Sequence, residues 1–152
     1  MRSYTFGHRF GEKVVHQEML NEIYGVIASV TIKPANSQAR PIKAAVLGGL
    51  KNAGWSDPVA LSVHSGITIT SIKDEVGLCL QTGGNMARGY ADLIKLQTLY
   101  QRETISSGII LMPTKIAADA LGSNIVNYDR FKREMEIYER TITMPLVIIG
   151  WE

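Results

Sequence analysis

Two short, uninterrupted apolar runs constrain the fold of this chain most strongly. Residues 108–112 read GIILM and residues 144–149 read MPLVII, and neither run alternates with polar residues. Runs of this kind are typical of strands buried on both faces, which occur in parallel sheets covered by helices. Because helical patterns and an alternating hairpin precede them, the sequence predicts an α/β fold with a central mixed β-sheet flanked by α-helices.

The rest of the chain alternates between helix-like and strand-like periodicity. Helices are expected where apolar residues recur at three-and-four spacing, and strands where they alternate. Thr114 and Asn127 are of the type that caps a helix N-terminus, so each should begin a short helix. The other predicted elements are a helix over about 12–30, a helix over about 39–53, a hairpin over 67–81 and a crossover helix over 86–101.

The predicted hairpin carries a cluster of polar side chains. If Lys73–Asp74 form a two-residue turn, the register pairs Thr68 with Cys79. Because side chains alternate along a strand, Thr68, Thr70, Cys79 and Gln81 then share one face of the sheet. This face is the first candidate for a functional site.

Composition predicts one domain over residues 1–152. Hydrophobic residues make up 45 % and charged residues 20 %, which is ordinary for a soluble globular protein. No apolar run is long enough to span a bilayer, and the single cysteine, Cys79, rules out an intramolecular disulfide or a Cys-rich zinc site. We therefore expect a cytoplasmic protein with no membrane partner.

Charge is distributed unevenly. No acidic residue occurs between Ile23 and Ser56, whereas Arg40, Lys43 and Lys51 fall in the second predicted helix. This stretch presents either a positive surface for a polyanion or an ordinary solvated helix face.

The strand that carries Cys79-Leu80-Gln81 is followed by GGNMARGYADLIKLQ. Together these segments resemble the catalytic core of the type II restriction endonucleases of the BglII and BstYI kind. The resemblance extends to IKAAVLGGLKNAGW, to PTKIAADALGSNIVNYDRFKREMEIYE and to the closing PLVIIGWE. It implies a restriction-endonuclease-like core over most of the chain.

In that family the hairpin presents one acid and then an acid-x-Gln or acid-x-acid pair, and these hold the divalent metal that activates water. The resemblance aligns these positions with Thr70, Cys79 and Gln81, so only the glutamine is retained. A hydroxyl and a thiol bring no negative charge, and Mg²⁺ requires hard oxygen ligands. The resemblance therefore implies a degenerate metal site, with neither a metal nor another cofactor.

DNA binding depends on other groups than the metal ligands. Asn85 and Arg88 lie at the start of the crossover helix, next to the degenerate site, and Arg40, Lys43 and Lys51 could extend the surface. The alternative for Arg88 is an ion pair with Asp92. The first interpretation is a non-catalytic protein that binds double-stranded DNA as a homodimer and regulates or targets a larger complex, with other protein subunits as further partners.

Two alternatives stay open. The chain could be an active Mg²⁺-dependent endonuclease with displaced carboxylates, drawn from Asp57, Asp74, Glu75 and Asp92. It could instead be a protein-interaction adaptor in a defence or counter-defence complex. Cys79 could be a nucleophile or a soft-metal ligand, although a small half-buried residue is the simpler interpretation.

Overall fold

The structure is a computed structural model that describes residues 1–152. Seven strands and six helices follow one another along the chain. Their bounds are β1 Ser3–His8, α1 Gly11–Val14, α2 Gln17–Ser29, α3 Ala39–Asn52, β2 Val59–Ala60, β3 Thr68–Ile69, β4 Ser71–Lys73, β5 Val76–Leu80, α4 Met86–Gln101, β6 Ser107–Pro113, α5 Lys115–Leu121, α6 Tyr128–Glu134 and β7 Leu146–Trp151.

Five of the strands form one mixed sheet in the order β1-β7-β6-β5-β4. The three central strands β5, β6 and β7 are parallel, and the two edge strands β1 and β4 are antiparallel to their neighbours. Every residue of the two apolar strands β6 and β7 is buried. The predicted central mixed β-sheet is therefore confirmed.

Helices cover both faces of this sheet, and the sheet separates the core into two clusters. On one face, α2, α3 and α5 pack against Val76, Leu78 and Leu80 of β5. On the other face, α4 and α6 pack against a cluster that includes Cys79. The alternation predicted for β5 is thus present, although both of its faces are buried.

The first predicted helix is interrupted. It consists of α1 and α2, separated by Val15 and His16, whose backbone is extended. A Cβ added to Gly11 would lie 2.2 Å from the Leu146 carbonyl oxygen, because α1 begins directly against β7. The apolar stripe gave no sign of this break, since Val15 and Met19 on either side of it are both buried.

The hairpin differs from its predicted register. Its turn is Asp74-Glu75, both at positive φ, and Ile72 therefore pairs with Gly77. Two positive φ values are the geometry of a turn that matches the twist of the flanking strands. The predicted pairing of Thr68 with Cys79 is wrong, because Thr68 belongs to β3, which pairs with β2 in a separate two-stranded sheet.

The chain changes sheet at Thr70, between β3 and β4. The Thr70 hydroxyl oxygen accepts a hydrogen bond from the Leu80 backbone N–H at 2.9 Å, and the Thr70 N–H donates to the Leu78 carbonyl. The Thr70 hydroxyl thus accepts a hydrogen bond that a backbone carbonyl would accept in a regular sheet. This arrangement fixes Thr70 beside the end of β5.

The later elements agree with the sequence patterns. The crossover helix α4 spans the predicted residues, and both Thr114 and Asn127 accept a capping hydrogen bond from a backbone N–H of the helix that follows. Within α4 the apolar residue Ile94 is an exception to the periodic burial that predicts the helix, since 64 % of it is exposed. No helix combines the length and the apolar character that crossing a membrane requires.

Candidate nucleic-acid interface

A cleft of about 260 Å³ opens at the carboxyl end of β5, between α3 and α4. The strand end is fixed in place, because the Gln81 backbone N–H donates to the Leu111 carbonyl of β6 at 2.8 Å. The cleft is lined by Lys43, Leu47, Pro58, Thr68, Ile69, Thr70, Leu80, Gln81, Thr82, Gly83, Arg88, Asp92 and Lys95.

A buried carboxylate forms the floor of the cleft. Asp92 is only 4 % exposed, and both of its carboxylate oxygens have partners. The Gln81 side-chain amide donates to Oδ2 at 2.5 Å, and the Lys95 ammonium donates to Oδ1 at 2.9 Å. Because a buried charge is stable only when it is paired and hydrogen-bonded, these three side chains form one unit.

Two further cations line the cleft. Lys43 projects from α3 and Arg88 from α4; both are exposed, and neither takes part in a salt bridge. Gly84, at a φ of 111°, leaves room for the Arg88 side chain, since a Cβ at this position would lie 2.6 Å from Arg88 Cδ. The cleft therefore has three cationic side chains and one carboxylate, so the charge of its lining is positive.

Cys79 lies behind the cleft and does not line it. It is 1 % exposed and belongs to the apolar cluster beneath α4. Burial raises the pKa of the Cys79 thiol well above its ordinary value, and the Asp92 carboxylate adds to this increase. The thiol is therefore protonated at neutral pH, which is the opposite of what a nucleophile or a soft-metal ligand needs.

We expect Cys79 to resist thiol reagents in the folded protein. At pH 8 its modification by iodoacetamide should be at least about 100-fold slower than in the chain unfolded with urea, since both burial and the raised pKa withhold the thiolate. Mass spectrometry of the modified chain measures both rates. Equal rates would mean that the thiol is accessible and ionised.

The side chains at the end of β5 do not fit Mg²⁺. The Thr70 hydroxyl is bonded to the backbone, Cys79 is a buried thiol, and the only carboxylate, Asp92, has both oxygens engaged. Mg²⁺ demands several oxygen ligands in near-octahedral geometry. No group of three or more His, Cys, Asp or Glu side chains is arranged to hold a metal ion.

The predicted DNA-binding residues are not all in one place. Lys43 and Arg88 line the cleft, whereas Arg40, Lys51 and Asn85 do not. Arg40 is exposed on α3, and Asn85 occupies the N-cap position of α4 without a side-chain capping bond. The Lys51 ammonium forms an exposed salt bridge at 3.0 Å.

The acids considered as displaced ligands are also dispersed. Asp57 is the salt-bridge partner of Lys51 on the surface, and Asp74 and Glu75 are exposed in the hairpin turn. Asp92 alone lies in the cleft, and its partner is Lys95. The ion pair between Arg88 and Asp92 that the spacing allowed does not form.

Sequence reasoning missed the burial of Asp92 and the place of Lys95 in the cleft. The spacing of Asp92 and Lys95 allows an ion pair, but spacing alone is typical of a pair on the helix surface. A signal was present, because Gly89, Leu93 and Leu96 form the buried stripe of α4 and Asp92 lies within it. A charged residue in an apolar stripe indicates a buried polar network.

The fold is that of a restriction endonuclease. The crystal structure of restriction endonuclease BglII complexed with a DNA 16-mer matches with a TM-score of 0.88 and 9 % sequence identity, covering 100 % of this chain and 78 % of that chain. The crystal structure of free BglII matches with a TM-score of 0.75 and 9 % identity, over 100 % and 80 % of the two chains.

Sequence comparison gives the family. The family model described as restriction endonuclease BglII/BglIII matches residues 3–151. The chain therefore belongs to this family, as the resemblance in the hairpin and α4 segments indicated. No curated protein matches the sequence.

Proposed function

We propose that this protein binds double-stranded DNA through the cleft at the end of β5 and does not cut it. It would act as a homodimer, because duplex DNA has two-fold symmetry, and would regulate or target a larger complex. Neither a metal nor another cofactor is part of this proposal.

The observation that carries the proposal is the charge of the cleft. Lys43 and Arg88 are exposed there without salt-bridge partners, and the one carboxylate, Asp92, is buried and neutralised by Lys95. Phosphate groups supply most of the affinity in protein–DNA complexes, and Lys and Arg are their usual partners.

Family membership supports the same ligand. The structure of BglII was determined in complex with a DNA 16-mer, and this chain shares its fold over its whole length. The absence of catalysis is inferred from the donor atoms at Thr70, Cys79 and Gln81, which do not fit Mg²⁺. Without the ion, the cleft has no metal to activate a water molecule for attack on the phosphodiester.

A second candidate function rests on Asp92. Its carboxylate lies in the cleft beside Gln81, so a Mg²⁺-dependent endonuclease with a displaced acid would use it. This candidate requires Lys95 or Gln81 to release one carboxylate oxygen to the ion.

One gel distinguishes these functions. The protein is incubated with mixed-sequence duplex DNA in Mg²⁺, in Mn²⁺ and in chelator, and both mobility and cleavage are recorded. We expect a shift without cleavage under all three conditions, and a shift that weakens steeply between 50 and 200 mM salt, by about 10-fold or more.

The other outcomes have definite meanings. Cleavage that chelator abolishes contradicts the proposal and supports the endonuclease that uses Asp92. No shift at low salt contradicts DNA binding and supports an adaptor whose partner is a protein. A shift that is insensitive to salt also contradicts the proposal, because phosphate contacts release counterions.

A further inference from the structure

The Lys95 ammonium is held in the cleft by the only carboxylate there. It donates to Asp92 Oδ1 at 2.9 Å, and about a quarter of the Lys95 side chain is exposed on the cleft wall. The carboxylate of Asp92 is thus paired with a cation, the Lys95 ammonium, where a divalent ion would otherwise bind. The Lys95 ammonium has three N–H groups, and only one of them donates to the carboxylate oxygen of Asp92. The other two can donate to a bound ligand.

Lys43 and Arg88 approach the same space from two different helices. Lys43 comes from α3 and Arg88 from the first turn of α4, and the cleft between them has a volume of about 260 Å³. An anion bound there meets cations from both helices, because Lys95 of α4 also lines the cleft. Arg is suited to bidentate contacts with a phosphate, and Lys to a point contact.

We infer that the cleft binds a phosphate group of DNA directly, with Lys43 and Arg88 as its ligands and the Lys95 ammonium in the role that a divalent metal would have. This inference rests on the proposed DNA binding and adds the chemistry of one contact. The donor atoms of this cleft do not fit Mg²⁺, and in this inference the Lys95 ammonium takes the place of that ion. The site is metal-independent.

Inorganic phosphate is the probe that tests this contact without the rest of the DNA. Backbone-amide NMR spectra are recorded as phosphate is added in chelator, with sodium chloride at equal ionic strength as the reference. We expect saturable shifts that centre on Gly83 and Arg88. Replacing both Lys43 and Arg88 by alanine should weaken phosphate binding at least about 10-fold, since each removes a charge-assisted hydrogen bond.

The matched control replaces Lys13 and Arg133 by alanine. Both residues are exposed, form no salt bridge and belong to α1 and α6. This variant should bind phosphate as the parent does. Equal phosphate affinity in the Lys43/Arg88 variant and the parent overturns the inference, and so does phosphate binding that appears only after Mg²⁺ is added.

Failure of this inference can be separated from failure of the proposed function. If duplex DNA still shifts in chelator while phosphate does not bind the cleft, DNA binding stands and the contact lies elsewhere. If neither ligand binds, both proposals fall. Thermal melting of the Lys43/Arg88 variant checks that it is folded, which we expect because alanine suits exposed helix positions.

Discussion

Replacing both Lys43 and Arg88 by glutamate is expected to lower the affinity for duplex DNA by about 100-fold at moderate salt, because two phosphate-facing cations become anions. Both side chains are exposed and form no salt bridge, so the fold should be unaffected. The measurement is the dissociation constant from fluorescence anisotropy of a labelled duplex in chelator. The dependence of affinity on salt should also become shallower.

The control for this charge reversal replaces Lys13 and Arg133 by glutamate, which changes the net charge by the same amount. Its DNA affinity should fall only slightly, since α1 and α6 contact the β7 half of the sheet and the cleft lies at β5. If both variants lose affinity equally, only overall charge matters and the cleft is not the DNA site.

Replacing Asp92 by asparagine is expected to destabilise the protein by about 2 to 3 kcal/mol, equivalent to a fall of roughly 5 to 10 °C in Tm. The asparagine keeps the shape of the side chain, but it removes the counter-charge of the Lys95 ammonium, and its single amide oxygen can accept from only one of the two donors, Lys95 and Gln81. Thermal and urea unfolding measure the loss. DNA affinity should be retained or increase, since the cleft loses its only negative charge.

Asp119 provides the control for the Asp92 substitution. It pairs with Lys115 at 2.5 Å, but both side chains are more than half exposed. Asp119→Asn should therefore cost less than about 1 kcal/mol. An Asp92→Asn variant as stable as the parent would contradict the buried network. Loss of a metal-dependent cleavage in that variant would favour the endonuclease function instead.

The sequence predicted the parts of the fold that depend on local patterns. The apolar runs of β6 and β7 indicate buried strands by themselves, and the caps Thr114 and Asn127 act on the residues directly after them. Strand β1 was not predicted, because it is a strand only by pairing with β7 at the far end of the chain. No local pattern reports such a pairing.

Part of the cleft lining could be predicted from the sequence, but its contacts could not. Alternation in β5 and the start of α4 placed Gln81 and Arg88 at the same end of the sheet. The hairpin register could not be derived, because it depends on positive φ values at both Asp74 and Glu75, and a glutamate does not indicate such a value. The orientation of Lys95 toward Asp92 depends on the buried stripe of α4, which is a tertiary property.

The most direct test of the account is a crystal structure of the protein with a short DNA duplex, grown in chelator and then soaked in Mn²⁺. We expect a DNA phosphate oxygen within hydrogen-bonding distance of Lys43 or Arg88, with Lys95 still bound to Asp92. Anomalous scattering should detect no manganese in the cleft. A manganese ion between Asp92 and the phosphate, or DNA bound at another face of the sheet, would contradict the account.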